Sequence, residues 1–454
     1  MRRVSRLLFP LLICALAVIN GQAQTTHNPR VDFKETTLKN GLRVLTIEDH
    51  SAPVIAISVS YKVGSANERE GRTGFAHLFE HMMFKGSENI GSGEHFILVF
   101  NNGGTMNGTT NADRTVYFEA LPANQLDLAL FLEADRMRSL EINKENLDNQ
   151  RNAVQEERRL GVDNQAYGKT FEKRTELLYD NFAYKHTTIG SMDDLNAASV
   201  EDVTSFFKMY YAPNNAVLVL VGDFKTAEAL AKIRSNFEGI PRQPDPPAVD
   251  LTEPQQKAER RASLDDVLAR AARVDISFKA VPGNSADFYA LSVLSTVLQG
   301  GQSSRLYQKL LKEREMVAAV GGFMDERRGV SALSTFATLR PGIKTEDVEA
   351  AIYAEIERLK KEPIADWELQ KAKNSNKRNF IEGLQSSLNR SVTLGQLTAY
   401  YGDPNLINTR LDKVAAVTKE DVQRVANKYL ADTNRTVVIT MPAKPKSTTS
   451  ASGQ

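Results

Sequence analysis

Two histidines lie four residues apart in the segment GFAHLFEHMMFKGS, which spans residues 74–87. They are His77 and His81, and Glu80 directly precedes the second. On an α-helix, residues at i and i+4 project from the same face, so the two imidazoles can hold one metal ion. Glu80 lies on nearly the same face and can reach a water molecule beside that ion. The spacing therefore predicts a metal centre with a neighbouring general base.

The segment around these side chains has the composition of a helix. Residues 72–84 contain no proline, and their single glycine, Gly74, lies near the start. We therefore predict a helix over residues 75–84. The remaining histidines, which lack such spacing and are interpreted as structural or surface residues, are His27, His50, His95 and His186.

The whole chain is long enough for two or three domains. It has 454 residues, of which 41% are hydrophobic and 25% charged, and its net charge is +1. That balance gives no reason to expect nucleic acid or an anionic membrane as a partner. Near residue 240, the segment GIPRQPDPPAVDLTEPQQKAERR carries five prolines and no apolar periodicity, which is typical of a linker. We predict domains over 30–240 and 269–443, joined by a linker over 241–268.

The two halves repeat one another. The segment SVEDVTSFFKMYYAPNNAVLVLVGD, from Ser199, aligns with TKEDVQRVANKYLADTNRTVVITMP, from Thr418, at an offset of 219. Earlier in each half, ISVSYKVGS, from Ile57, is similar to VDISFKAVPG, from Val274. We predict a duplicated α+β fold in which each half has a mostly antiparallel sheet with packed helices. Long helices are predicted over 122–140, 144–160, 169–180, 285–300, 346–361 and 366–398.

The N-terminus has the pattern of a secretory signal. MRRVSR is basic, LLFPLLICALAVI is apolar, and small residues follow. The apolar run is short for a membrane span, so we interpret residues 1–23 as a signal peptide, with a retained anchor helix as the alternative. Cys14 is the single cysteine, so the mature chain has no thiol, which suits an oxidising compartment. We expect an exported, periplasmic or secreted protein with no membrane span in its mature chain, and a disordered tail over 444–454.

The motif H-x-x-E-H resembles the signature of the inverted zincins, the pitrilysin-like family of zinc metallopeptidases. The resemblance extends from about residue 33 to residue 440. It is carried by the motif segment and by GGTMNGTTNADRTVYFEALP, NQRNAVQEERR, APNNAVLVLVGDF and GGQSSRLYQKLL. Within the family, the chain is similar to bacterial exported members of the mitochondrial processing peptidase beta-subunit type.

The resemblance implies a third metal ligand. Family members bind zinc through both histidines and a glutamate about 76 residues after the second, which here is Glu157. Glu156 is the neighbouring alternative, and only one of the two can face the metal, because successive helical residues point about 100° apart. Ala153 and Val154 favour Glu157, since they could form its inward stripe. The resemblance thus implies one zinc ion (Zn2+) per chain with three ligands: His77, His81 and Glu157.

The resemblance also gives meaning to positions outside the motif. Asn107 matches an asparagine that holds the substrate backbone on the strand after the metal helix, where the peptide pairs as an added strand; a turn residue beside glycines is the alternative. A large apolar residue often follows two positions later, but here that residue is Thr109. Some relatives carry an acid seven residues before the third ligand, where this chain has Gln150. His186 and Arg305 match landmarks that we interpret as structural.

The predicted activity is that of an exported zinc-dependent endopeptidase acting on small or unfolded peptides. Glu80 would activate a zinc-bound water for attack on the peptide carbonyl and pass the proton to the leaving amine. One alternative is a non-catalytic assembly subunit of the same fold. Another is a non-hydrolytic metal protein, since two imidazoles and a carboxylate also suit iron. The intact H-x-x-E-H together with Glu157 favours the peptidase.

The second half lacks the metal motif. At an offset of 217 the three motif residues fall on Leu294, Val297 and Leu298, and this half contains no histidine. In many relatives an Arg and a Tyr of the second half hold the substrate near the metal, but the matching residues here are Leu311 and Ala318, which have no side-chain donor. We therefore expect a heterodimer with a paralogous metal-free subunit that carries the Arg–Tyr pair. The alternative is a homodimer or monomer that uses other donors.

Overall fold

A computed structural model of the chain describes residues 28–443, so the predicted signal peptide and the predicted tail lie outside the described residues. The strands are β1 (Lys34–Thr37), β2 (Arg43–Glu48), β3 (Val54–Tyr61), β4 (Thr105–Thr110), β5 (Thr115–Pro122), β6 (Ala216–Gly222), β7 (Arg260–Asp266), β8 (Arg273–Lys279), β9 (Val317–Asp325), β10 (Ala332–Leu339) and β11 (Arg435–Pro442).

The helices of the first half are α1 (Phe75–Met82), α2 (Glu94–Asn101), α3 (Leu126–Ser139), α4 (Lys144–Arg158), α5 (Gly168–Leu178), α6 (Phe182–Lys185), α7 (Met192–Asn196), α8 (Val200–Tyr210) and α9 (Thr226–Phe237). Those of the second half are α10 (Ala286–Gln299), α11 (Thr345–Lys361), α12 (Asp366–Gly383), α13 (Ser387–Tyr401), α14 (Leu406–Ala416) and α15 (Lys419–Tyr429). Among these described elements, no helix is both long enough and apolar enough to span a membrane.

The first sheet has the strand order β1-β2-β6-β3-β5-β4. Only β2 and β6 pair in parallel, and the other neighbours are antiparallel. The central strand β6 has the sequence AVLVLVG and is buried along its whole length, as expected for a β-branched strand covered on both faces. Helices α1, α3, α8 and α9 contribute to the core on one of these faces. The strand β4 lies at the edge of the sheet.

The second sheet has five strands in the order β7-β11-β8-β10-β9, which repeats the order β2-β6-β3-β5-β4 of the first sheet, again with one parallel pair, β7 and β11. The repeated segments have matching details: α8 and α15 each begin with a capping box. Asn215 donates its side-chain amide to the carbonyl of Tyr210 at 2.8 Å, and Asn434 does the same to Tyr429 at 2.7 Å. The predicted α+β fold with two homologous halves is confirmed.

The two halves exchange equivalent helices. Helix α13 of the second half packs on β3, β5 and β6 of the first sheet, and α5 of the first half packs on β7, β8 and β11 of the second. The approach of α13 is close: a Cβ placed on Gly395 would lie 2.7 Å from the hydroxyl of Ser60. Residues of β2, β6, α13 and α14 form one apolar cluster across the halves. Each sheet is therefore completed by the other half of the chain.

Two predicted segments differ from the structure by more than a shift of a few residues at their ends. The helix predicted over 366–398 is two helices, α12 and α13, because Ser386 accepts a hydrogen bond from the backbone of Asn389 and starts a new helix. The segment predicted as a linker over 241–268 contains β7. Its sequence, RRASLDD, lacks apolar alternation and pairs with β11 through backbone hydrogen bonds, which a hydrophobic pattern does not reveal. The domain limits themselves stay a prediction.

Candidate metal centre

The metal-motif helix α1 is held at its first turn. It begins after Gly74, whose φ of +86° is the left-handed conformation that favours glycine. The buried carboxylate of Glu68 accepts hydrogen bonds from the backbone of Gly74 at 3.0 Å and of Ala76 at 2.8 Å, so it satisfies amides that a helix start leaves unpaired. His186 Nε2 lies 2.9 Å from the same carboxylate. His186 therefore has the structural surroundings expected of it. The helix ends at Met82, two residues earlier than predicted.

The structure brings His77, His81 and Glu157 together. Glu157 Oε2 lies 3.6 Å from His77 Nε2 and 3.3 Å from His81 Nε2. Ligand atoms on a tetrahedral zinc ion, with bonds of roughly 2.0–2.2 Å, lie roughly 3.3–3.6 Å apart, so these donors fit zinc in type and spacing. Glu156 instead accepts a hydrogen bond from Arg159 at 3.0 Å. Within the inward stripe predicted near Glu157, Val154 is buried but Ala153 is exposed.

The electrostatics of the cluster favour metal-binding protonation states. His77 is 12% exposed, and burial, with a smaller effect from His81, lowers its pKa to about 4. The hydrogen bond with His81 holds the pKa of Glu157 below its ordinary value. A neutral imidazole and an ionised carboxylate are the forms that bind a metal ion. Gln150 donates to Asn149 at 2.5 Å and supplies no carboxylate here.

Glu80 is buried beside the three candidate ligands, but it does not belong to their cluster. The hydroxyl of Thr110 on β4 donates to Glu80 Oε2 at 2.5 Å. Burial raises the pKa of Glu80, and the Thr110 hydrogen bond opposes this. Gly108 passes so close that a Cβ there would lie 3.0 Å from Glu80 Cγ. Sequence reasoning missed Thr110 and Gly108, although their alternation on the strand after the motif is a usable signal.

The strand β4 has one open edge in the described chain, because it is the last strand of its sheet. Asn111 N donates to Arg114 O at 3.0 Å and closes the β4–β5 hairpin. Along an antiparallel ladder, hydrogen-bonded residue pairs alternate with pairs that are not hydrogen-bonded. Counting back from Asn111, Gly108 belongs to a pair that is not hydrogen-bonded to β5, so its backbone N–H and C=O groups point toward the open edge. The side chain of Asn107 is exposed on this strand, and its oxygen accepts from the backbone of Gly108 at 2.8 Å. An extended peptide could pair here beside Glu80.

The second half contains no counterpart of the metal cluster within the described residues. Leu294, Val297 and Leu298 are buried in the core on α10. Leu311 is half-buried, and Ala318 is exposed on β9. In place of an imidazole–carboxylate site, this half has the apolar core of an ordinary helix–sheet interface.

A second cluster of possible ligands, His95, Glu119 and Glu133, lies fully inside the first half. Arg136 already pairs with Glu133, with Nε 3.0 Å from Oε2, and its guanidinium lies 4.5 Å from the ring centre of Tyr117. Burial raises the pKa of Glu119 to about 8 and lowers that of His95 to about 3. The cluster is a buried polar network, in agreement with the structural role expected of His95.

Arg305 likewise has a structural role. Its guanidinium donates to both carboxylate oxygens of Glu368, at 2.7 Å and 2.9 Å. Both side chains are 10% exposed, so this bidentate pair ties the segment before Tyr307 to α12.

Known proteins resemble the chain along almost its whole length. Residues 43–191 match the family described as Insulinase (Peptidase family M16), and residues 197–376 match the Peptidase M16 inactive domain. The probable mitochondrial-processing peptidase subunit beta of Arabidopsis thaliana is 23% identical over 90% of this chain and 78% of its own. A crystal structure of a protease from Helicobacter pylori has a TM-score of 0.87 at 31% identity, covering 90% of this chain and 99% of that one.

The match of residues 197–376 to the Peptidase M16 inactive domain agrees with the absence of histidine from the second half. The resemblance inferred from H-x-x-E-H is confirmed by these matches. Zinc protease PqqE of Helicobacter pylori is 32% identical over 95% of this chain and 98% of its own. With a relative of that similarity along nearly its full length, the chain belongs to peptidase family M16.

Proposed function

We propose that this chain is an exported zinc-dependent endopeptidase that hydrolyses small or unfolded peptides. The observation that carries the proposal is the meeting of two elements: the cluster of His77, His81 and Glu157, and the open edge of β4, with Glu80 held between them by Thr110. A metal cluster alone would suit several functions. Its position beside a free strand edge suits the cleavage of an extended chain.

Each residue has a distinct task in the proposed reaction. The two histidines and Glu157 would hold one zinc ion, which when bound supplies a Lewis acid that polarises the scissile carbonyl and lowers the pKa of water. Glu80 accepts the proton of the attacking water and returns it to the leaving amine. Its raised pKa suits this exchange, because a general base works best when its pKa is near the working pH. Asn107 and the edge of β4 hold the peptide backbone.

Pairing with a strand edge restricts the substrate to chains that can become extended. A folded protein presents few segments with both free backbone groups and room for an added strand. Small peptides and unfolded proteins meet this requirement without prior unfolding. The basic and apolar start of the chain supports export, so the proposed substrates are peptides of the periplasm or of the medium.

The first experiment measures zinc content and peptide hydrolysis on the same preparations. We expect about one zinc per chain, lost in His77→Ala and Glu157→Ala but kept in Glu156→Ala, which is the matched control on the same helix. Glu80→Gln should keep zinc and lose about 10²–10⁴-fold of the hydrolysis rate. Zinc loss in Glu156→Ala but not in Glu157→Ala would refute the ligand assignment, and a zinc-loaded chain that cleaves no peptide would favour an assembly subunit.

We further propose that the active form is a heterodimer with a paralogous, metal-free subunit. Leu311 and Ala318 offer no side-chain donor to a substrate carbonyl, and β9, which carries Ala318, leaves its outer edge without a strand neighbour in the described chain. A partner that carries an Arg–Tyr pair would supply the missing donors as the two subunits close around the peptide.

This partnership predicts low turnover by the isolated chain. Removal of one donor to a developing oxyanion elsewhere costs on the order of 10²–10³ in rate, so adding the paralogue should raise kcat by a comparable factor. The measurement is turnover of one fluorogenic peptide by each subunit alone and by their mixture. Full activity of this chain as a monomer or homodimer, with no gain on mixing, would rule out the shared site.

A further inference from the structure

The turn that closes the β4–β5 hairpin is fastened to the second half of the chain. Tyr400, on α13, donates its hydroxyl to the side-chain oxygen of Asn111 at 3.0 Å. The backbone of Arg328, in the loop after β9, donates to Asp113 Oδ2 at 2.9 Å. Both acceptors belong to the turn directly after β4. The end of the edge strand is therefore positioned by residues more than 200 positions away in the sequence.

Arg114 extends this connection from the turn to the edge strand itself. Its Nη1 donates to the carbonyl of Thr109 at 3.0 Å and to the Thr109 hydroxyl at 2.8 Å. Its Nε donates to Gln396 Oε1, on α13, at 3.1 Å. Because the guanidinium is planar and rigid, these bonds fix Thr109 relative to α13. Thr109 adjoins both Gly108 and Thr110, the two β4 residues that contact Glu80.

The surroundings of Arg114 are costly for a residue that only stabilises the fold. The side chain is buried, with 9% of the residue exposed, and within residues 28–443 its hydrogen bonds all reach neutral oxygens. A buried cation without a directly bonded carboxylate loses hydration that neutral acceptors replace only in part. The nearby carboxylate of Glu80, which makes no hydrogen bond to Arg114, offsets only part of this loss. The arrangement is thus better explained by a requirement on the position of β4.

We propose that Arg114 is a positioning residue through which the second half sets the substrate-binding edge strand against the metal centre. Gln396 orients the guanidinium, and the guanidinium holds Thr109, so that a peptide paired with β4 presents its carbonyl in register with Glu80. This inference rests on the proposed function. It gives the second half a role in peptide binding that requires neither a metal ligand nor contact with the substrate.

The test uses the zinc-loaded full chain, with its partner subunit where turnover requires one. Arg114→Lys keeps the charge but cannot bond Thr109 and Gln396 in the same fork, and Gln396→Ala removes only the orienting contact. The control is Asn408→Ala, which breaks two hydrogen bonds between the halves at Val31, 2.7 Å and 3.0 Å long, away from the hairpin. The readouts are KM, kcat, zinc content and the affinity of an unlabelled peptide for each variant combined with Glu80→Gln.

We expect both Arg114→Lys and Gln396→Ala to raise KM and weaken peptide binding by about three- to tenfold, as the loss of one or two hydrogen bonds allows. Zinc content should be unchanged, and Asn408→Ala should bind peptide as the parent does. Gln396→Ala keeps the test decisive if Arg114→Lys fails to fold. Unchanged peptide affinity, or an equal loss in Asn408→Ala, would overturn the proposal. If the parent chain holds zinc but neither binds nor cleaves peptide, the proposed function itself fails. The parent chain is measured first, so this outcome is distinguished from a failure of the Arg114 proposal.

Discussion

Gly108 lies where the edge strand passes Glu80, the proposed general base, and its missing side chain leaves room for that residue. A Cβ at this position would lie 3.0 Å from Glu80 Cγ and 3.2 Å from Oε1, closer than an ordinary van der Waals contact. Glu80, whose carboxylate accepts from Thr110 at 2.5 Å, would have to shift by a few tenths of an ångström. A methyl group added at Gly108 would therefore displace Glu80, although it would touch none of the three proposed zinc ligands.

We expect Gly108→Ala to lower kcat by roughly tenfold to a hundredfold, because small displacements of a catalytic group have effects of that size. Zinc content should not change, since the three candidate ligands lie outside this contact. The measurement is kcat with zinc content, compared with Gly239→Ala, where an added Cβ meets nothing within 4 Å. A fully active Gly108→Ala would show that Glu80 does not depend on this close approach.

At the scale of elements, β5 is joined to α2 and α3 by a buried polar network. Glu119 on β5 faces His95 at 3.4 Å, and Arg136 on α3 pairs with Glu133. Burial raises the pKa of Glu119 from 4.5 to about 8, and the attraction of Arg136 opposes this only in part. The folded chain therefore keeps this proton over a range in which the unfolded chain loses it.

The free energy of unfolding should consequently fall as the pH rises from about 6.5 to about 8, because the folded state binds the extra proton of Glu119. Below about pH 6.5 His95 opposes this dependence, because burial keeps it neutral in the folded chain, with a pKa of about 3, whereas the unfolded chain protonates it near its ordinary pKa of 6.5. Glu119→Gln removes the effect, so its thermal unfolding should depend less on pH and gain relative stability at about pH 8, by an amount on the order of a few kcal/mol. Parallel pH profiles for the two proteins would assign the dependence to another group.

The elements differ in how far the sequence predicts them. The metal helix and the duplicated segment α8–β6 carry local signals: the H-x-x-E-H spacing, a capping box, and a β-branched run. Glu157 could be predicted as a candidate ligand because members of the family have a glutamate about 76 residues after the second histidine. The break between α12 and α13 is not predicted, although the sequence marks it with the poor helix former Gly383 and the N-cap Ser386.

Residues that act through long-range contacts were not predicted. Thr110 and Arg114 have partners that are 30 and 282 positions away. The neighbouring sequence does not identify Glu80 as the partner of Thr110 or Gln396 as the partner of Arg114. Hydrophobic periodicity likewise cannot reveal β7, whose RRASLDD sequence becomes a strand only because β11 offers it an edge. These features are decided by the tertiary fold and not by local propensity.

The whole molecule is interlocked by the exchange of α5 and α13. The inner surface of the first sheet, including Val217, Val219 and Val221, is covered by residues of α13 and α14 in one apolar cluster. Without the second half these side chains would face water, at a cost of about 25 cal/mol for each Å² of apolar area exposed. The halves are homologous in architecture but depend on each other for stability.

A chain divided within residues 241–257 tests this dependence. We expect each half to be insoluble or unfolded when produced alone, and the two to fold and copurify when produced together. Circular dichroism and copurification through a tag on one half are the measurements. A first half that is folded and monomeric by itself, with zinc bound, would show that the exchanged helices are dispensable.

The exchange of helices also determines when the protein can complete its fold during synthesis. The first sheet has all its strands once β6 ends at Gly222, but α13 extends to Tyr401. A ribosome adds roughly 5–20 residues per second, so the uncovered sheet would wait many seconds for its helix. Chaperones that bind unfolded nascent chains would therefore act on a protein that cannot yet finish folding.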